Sequence, residues 1–183
     1  NIIMVILCDS PYQSDKLDEY LSKYPFPLSD FQKYALEAIT ENNHILITAH
    51  TGSGKTLPAE FAIEYFHKHN KKVIYTSPIK ALSNQKFYEL SKKFSNISFG
   101  ILTGDIKFNP SADVLIMTTE ILRNTLLQKK INSQKEILQF DMDFENELAC
   151  VVFDEIHYIN DEDRGKIWEE SIMLMPEHVQ LIM

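Results

Sequence analysis

The sequence predicts an α/β domain built on a mostly parallel sheet with helices on both faces. Three observations predict it. Short apolar runs alternate along the chain with segments of helical periodicity, the pattern of parallel strands joined by helical crossovers. Residues 148–153, Leu-Ala-Cys-Val-Val-Phe, are continuously apolar, as a strand covered on both faces must be. A third apolar run, residues 45–48, enters a glycine-rich turn that opens a helical pattern, which is a strand–turn–helix unit.

Taken in order, residues 1–8 are apolar enough for a strand. Ser14 and Asp15 can cap a short helix with Leu17, Tyr20, Leu21 and Tyr24 on one face. Pro25 and Pro27 then hold residues 24–28 extended, because each proline keeps its predecessor out of the helical region. Residues 1–25 thus read as an N-terminal extension and 26–183 as the domain proper. A helix is expected over 30–42, a strand over 45–48 and a helix over 55–69, with Pro58 tolerable in its first turn. A strand at 72–76 and a helix at 81–94 follow. Short strands are expected at 97–102 and 114–117, a helix at 119–128, the buried strand at 148–153, a helix at 164–175 and a last strand at 179–183. The polar stretch 129–147 reads as an insertion, a surface loop or short helix.

The chain of 183 residues fits one domain and can bury a real core. Its net charge of −8 gives no general support for nucleic-acid binding, so any such role rests on local residues. Two cysteines, Cys8 and Cys150, form neither a disulfide framework nor a zinc pattern, which fits a reducing compartment. The opening apolar stretch lacks a basic flank and a cleavage site, and is far too short to span a bilayer. No membrane association is expected. The first residue is Asn rather than Met, as in a fragment or processed chain.

Two stretches carry chemistry. Ala49-His50-Thr51-Gly52-Ser53-Gly54-Lys55-Thr56 matches a P-loop, with Ala49 in place of the first glycine. Glycines let successive backbone N–H groups curl around phosphate oxygens, and the helix that follows adds its positive N-terminal end. Thr51, Gly52, Ser53 and Gly54 would form the cradle. Lys55 would reach the β- and γ-phosphates, and Thr56 would ligate Mg²⁺. Asp154-Glu155-Ile156-His157 directly follows the buried strand. Asp154 is suited to hold Mg²⁺ directly or through water, and Glu155 to polarise an attacking water. His157 is either a structural histidine or a relay beside the γ-phosphate. Both motifs fall at the carboxyl ends of strands, where such sheets bind ligands.

The P-loop together with Asp154-Glu155-Ile156-His157 resembles the DExH branch of superfamily-2 helicases. Residues 75–86 (Tyr-Thr-Ser-Pro-Ile-Lys-Ala-Leu-Ser-Asn-Gln-Lys), 102–106, 117–123 and 157–170 sharpen the likeness to the Ski/Mtr-type RNA helicases that feed the exosome. The resemblance covers about residues 26–183. It implies a first RecA-like motor domain that uses ATP and Mg²⁺ to move on or unwind RNA. It implies that residues 76–85, with Pro78, Lys80, Asn84 and Gln85, together with Thr103, Gly104, Thr118 and Thr119, line a track for one strand's backbone. Arg123 would add a cation. Such loops position phosphates without reading sequence. It implies an adenine site at Phe26, by stacking, and Gln32, by hydrogen bonding. From the residues alone, Ser29 with Gln32 also has capping-box spacing, and Phe26 also suits a core anchor. Arg164 reads as a solvated helix start and takes no catalytic role.

The resemblance further implies single-stranded RNA as partner, RNA-decay machinery as company, and an intracellular setting in cytoplasm or nucleus. The insertion at 129–147 is longer than the family suggests. A Ser-Ala-Thr coupling segment would follow Met183, and a second RecA-like domain would bring the arginines that complete the ATP site. The expectation is therefore that these 183 residues bind nucleotide but hydrolyse it poorly and do not unwind by themselves, with the last strand near the sheet's end. A DNA-directed helicase and a nucleotide-responsive clamp without unwinding stay open as alternatives.

Overall fold

In the computed structural model, which describes residues 5–50, 52–131, 140 and 142–183, six strands form one sheet. They are β1 (Lys72–Ser77), β2 (Phe99–Leu102), β3 (Lys107–Phe108), β4 (Val114–Thr118), β5 (Leu148–Phe153) and β6 (Gln180–Ile182), in the spatial order β3-β2-β4-β1-β5-β6. All neighbours pair in parallel except β2 with β3, which are antiparallel. The helices are α1 (Asp18–Leu21), α2 (Asp30–Thr40), α3 (Thr56–Lys68), α4 (Lys80–Lys93), α5 (Thr119–Ile131) and α6 (Gly165–Leu174), with a 3₁₀ turn at Ile156–Asn160.

Strand alternation divides the core in two. Val73, Tyr75, Val114, Ile116, Cys150 and Val152 meet Leu36, Ile39, Ala62, Ile63 and Leu90 on the face covered by α2, α3 and α4. Ile74, Leu115, Met117, Val151 and Phe153 meet Leu122, Leu126 and Trp168 on the face covered by α5 and α6. This two-sided burial is why residues 148–153 have no polar alternation. Each fully buried large side chain contributes about 1.5–3 kcal/mol.

The 45–48 segment forms less ladder than a strand pattern predicts. Ile45 makes a single parallel bridge to Ile182, and Ile47 N–H donates to the Met183 carbonyl at 2.7 Å. It thus borders β6, the outermost of the six strands, which lies near the sheet's end as expected, between this segment and β5. β3, two exposed residues long, was not foreseen and closes the opposite edge; its brevity limits pairing with another chain.

Other differences are local. Residues 5–8 form no strand, and Val5, Ile6 and Leu7 are exposed; residues 1–4 lie outside the described residues. α1 starts only after Leu17, whose side chain is fully buried in the α2–α3 core. The expected cap does not form, because Asp15 supplies its carbonyl, not its side chain, to Asp18 N–H. The polar stretch 129–147 begins as the last turn of α5; residues 132–139 and 141, on which part of the insertion reading falls, lie outside the described residues. Phe140, Met142 and Phe144 are buried in the α5–α6 core, and Lys129 Nζ sits 3.9 Å from the Phe144 ring centre while donating to the Met142 carbonyl.

Candidate nucleotide and nucleic-acid site

The parallel register sets the site. Ser77 aligns with Thr118, and Thr76 with Phe153, so the loops after β1, β4 and β5 leave one edge of the sheet. The glycine turn leaves the same edge after the 45–48 segment. Only β6 separates that segment from β5, so the two loops start about 10 Å apart at the usual strand spacing.

Within the turn, Gly52 and Gly54 have φ of +83° and +87°, conformations that an L side chain adopts only with strain. A Cβ on Gly54 would also come within 2.6 Å of Gln32 Nε2. Ser53 N–H closes onto the His50 carbonyl at 3.3 Å, so His50 contributes its backbone. The Ser53 hydroxyl oxygen is buried without a hydrogen-bond partner among the described residues, an unmet polar group inside the cradle. Lys55 is exposed at the mouth of α3 and Thr56 opens the helix. Thr51 lies outside the described residues.

Gln32 braces this turn. Ser29 N–H donates to its Oε1 at 3.0 Å, and its Nε2 donates to the Gly54 carbonyl at 3.1 Å. The capping box is therefore present, and the same side chain reaches the P-loop. An amide has two N–H donors and two acceptor lone pairs, so one of each is still uncommitted. Phe26 is 52% exposed with its ring tilted against Tyr24, so it is not a core anchor.

Asp154 is held from two sides. Its N–H donates to the Thr76 carbonyl at 3.0 Å, and the Tyr75 hydroxyl donates to its Oδ2 at 2.8 Å. Glu155 is left-handed, with φ +57°, a conformation that costs a non-glycine residue about 1–3 kcal/mol and recurs at functional sites. It turns the chain from β5 into the 3₁₀ turn, and its carboxylate lies 3.3 Å from His157 Nδ1. His157 is largely exposed and so is not a core histidine. Thr56 and Asp154 offer hard oxygen donors, which suits Mg²⁺. No group of three or more His, Cys, Asp or Glu able to enclose a metal occurs among the described residues. A cation here would draw its other oxygens from phosphate and water.

Beside this, Pro78, Ile79, Lys80, Gly104, Thr118, Glu120, Ile121 and Arg164 line an open cleft of about 400 Å³. Four of the sequence-predicted track residues are among them. Lys80 Nζ pairs with Asp105 Oδ1 at 2.9 Å, and Thr103 donates to the same oxygen at 2.9 Å. These bonds hold the Asp105 carboxyl below the usual carboxylate range, the Lys80 contact first among them. Thr119 is buried, with its hydroxyl 3.4 Å from the Ser77 carbonyl, as a residue that shapes the loop from behind. Asn84, Gln85 and Arg123 do not line the cleft. Gln85 is exposed and bonded to Glu89 at 2.7 Å, and Arg123 pairs with Glu170 at 2.6 Å, tying α5 to α6.

Arg164, expected as a solvated helix start, is instead half-buried and lines the cleft. Its Nη1 donates to the Pro78 carbonyl at 3.1 Å across the cleft. It gets there because Gly165 starts α6 against the 3₁₀ turn, where a Cβ would come within 2.2 Å of the Ile159 carbonyl oxygen. The signal was the Arg-Gly pair itself, a long cation next to a residue that permits close packing.

Comparison with known proteins bears on this arrangement. The family model described as DEAD/DEAH box helicase matches residues 29–183. The antiviral helicase SKI2 of Saccharomyces cerevisiae is 41% identical over 179 residues, covering 96% of this chain and 13% of that protein. The exosome RNA helicase MTR4 of Homo sapiens is 44% identical over 160 residues, covering 87% of this chain and 14% of that protein. The chain thus spans about one seventh of these relatives' length. Among solved structures, a variant of S. cerevisiae Dbp5 bound to RNA and ADP BeF3 matches with TM-score 0.64 at 19% identity, covering 89% of this chain and 41% of that one. The DUF1998 helicase MrfA bound to DNA and AMPPNP matches with TM-score 0.66 at 19% identity, covering 94% and 26%. These two likenesses concern the fold.

Proposed function

This chain belongs to the DEAD/DEAH box helicase family, and on that premise we propose that it is the first RecA-like motor domain of an ATP-dependent RNA helicase of the Ski/Mtr kind. The observation that carries the proposal is the shared sheet edge: the glycine turn and Asp154-Glu155 leave it with one strand between them, and the cleft beside β1 and β4 opens on that same edge.

In this reading Gly52, Ser53 and Gly54 bind the phosphates through backbone N–H groups, with the Ser53 hydroxyl as a further donor. Lys55 offsets the charge of the β- and γ-phosphates. Thr56 and Asp154 hold Mg²⁺, which when bound neutralises charge developing on the phosphate oxygens. Glu155 orients the attacking water and accepts its proton, with His157 beside it. Gln32 and Phe26 border the base. The nucleic-acid backbone runs over Pro78, Lys80, Gly104 and Thr118, with Arg164 as a second cation. Local cations in a cleft reconcile phosphate binding with a net charge of −8. RNA is the favoured polymer because relatives of this chain carry RNA helicase in their names. RNA-decay machinery is the expected company for the same reason, and cytoplasm or nucleus the expected setting. No described helix is long and apolar enough to cross a membrane.

The test is a nucleotide titration with a fluorescent ATP analogue, paired with a turnover assay. Lys55→Ala is expected to lose detectable binding. In the full-length enzyme, Glu155→Gln is expected to keep the affinity while turnover falls about 10²–10⁴-fold, the usual contribution of a general base. Undiminished binding in the first variant, or undiminished turnover in the second, would remove the assigned roles. Titration with labelled single-stranded RNA and DNA of the same sequence separates the RNA-directed from the DNA-directed motor.

A further inference from the structure

Tyr75 lies inside β1, below the loops that form the site, and its side chain is 1% exposed. The ring packs in the core on the α3 side, where phenylalanine would fill nearly the same volume. A hydroxyl at such a position carries a desolvation cost unless it finds a partner. Its partner is Asp154 Oδ2, at 2.8 Å, across the β1–β5 pairing. A phenol O–H that donates to a carboxylate oxygen makes a charge-assisted O–H···O⁻ contact, here from a rigid strand.

We propose that Tyr75 is a positioning residue for the magnesium site: its hydroxyl anchors one carboxylate oxygen of Asp154 and so fixes the other for the cation. The proposal rests on the reading of Asp154 as a metal-holding residue given above. The Thr76 carbonyl fixes the Asp154 main chain, and the Tyr75 hydroxyl, holding Oδ2, restricts rotation of the carboxylate on it. Partners of this kind, one bond behind a metal-holding carboxylate, tune the metal affinity as well as the orientation of the ligand.

The experiment uses the 183-residue chain, a fluorescent ATP analogue and a Mg²⁺ series that includes a point with excess EDTA. Tyr75→Phe keeps the ring and removes the hydroxyl. The Mg²⁺ concentration at half-maximal enhancement of nucleotide binding is expected to rise about 10–100-fold, with the affinity in EDTA unchanged. The Tyr75→Phe/Asp154→Asn double variant is expected to match Asp154→Asn alone, since the hydroxyl acts through that carboxylate. A folded Tyr75→Phe with an unchanged Mg²⁺ midpoint would overturn the proposal, as would an additive double variant. If the wild-type chain showed no Mg²⁺-linked binding at all, the reading of the site would fail and this proposal with it. If wild type and Asp154→Asn differ but Tyr75→Phe behaves as wild type, the proposal alone fails.

Discussion

Arg164 and Lys80 are the two cations of the cleft, and they are held differently. Lys80 is neutralised by Asp105, 2.9 Å away, whereas the Arg164 guanidinium bonds a carbonyl, which leaves its charge and most of its five donors for a phosphate. On the nucleic-acid reading, Arg164→Ala should weaken binding of single-stranded RNA and flatten the slope of log affinity against log salt by about 0.7–1, the signature of one lost phosphate contact. Binding titrations at several salt concentrations check this, with the ATP-analogue affinity expected to stay at the wild-type value. At this scale much of the site was legible in the sequence. Lys55, Thr56, Asp154 and Glu155 stand where strand–turn–helix and strand-end logic put them, because the spacing of a motif dictates its local backbone. Arg164, Tyr75 and the commitment of Arg123 to Glu170 were not legible, since each depends on a partner far along the chain.

The elements that decide the site are the short ones. Glu155 and Gly165 bracket the 3₁₀ turn, the first by a left-handed backbone and the second by close contact with the Ile159 carbonyl. Gly165→Ala would push its Cβ into that carbonyl at the start of α6. The expected loss is about 1–3 kcal/mol of stability, as for other overpacked positions. The same change should displace Arg164 from Pro78, so RNA affinity should fall while nucleotide binding persists. Thermal unfolding and the two titrations report these separately. Most helices and strands were legible from periodicity to within one to three residues. The failures have a common cause: 5–8, 45–48 and β3 are edge or terminal segments, whose fate is set by the neighbours available to pair with them rather than by their own pattern.

For the whole molecule, the α5–α6 side of the sheet is a core in its own right. Trp168, 1% exposed and 5.7 Å from the Phe153 ring, lies at its centre, with Phe140, Met142 and Phe144 from the polar stretch packed into it. Trp168→Ala should cost about 3–5 kcal/mol. In a domain of this size that lowers the midpoint of thermal unfolding by about 6–20 °C. Calorimetry checks it, and a shift of only a degree or two would show that this core does not support the sheet. Phe153 precedes Asp154 directly, so the packing of this side also seats the acidic pair.

The sequence by itself determined the class of the fold, the order of its helices and main strands, and the two motifs that mark a nucleotide site, because all of these follow from local spacing and burial pattern. The tertiary structure alone decided that β6 lies between the P-loop segment and β5, that Gln32 braces Gly54, that Tyr75 holds Asp154 and that Arg164 crosses to Pro78. Strand order and long-range hydrogen bonds depend on which distant segments meet, and a parallel sheet joins residues that its crossovers keep far apart in the chain.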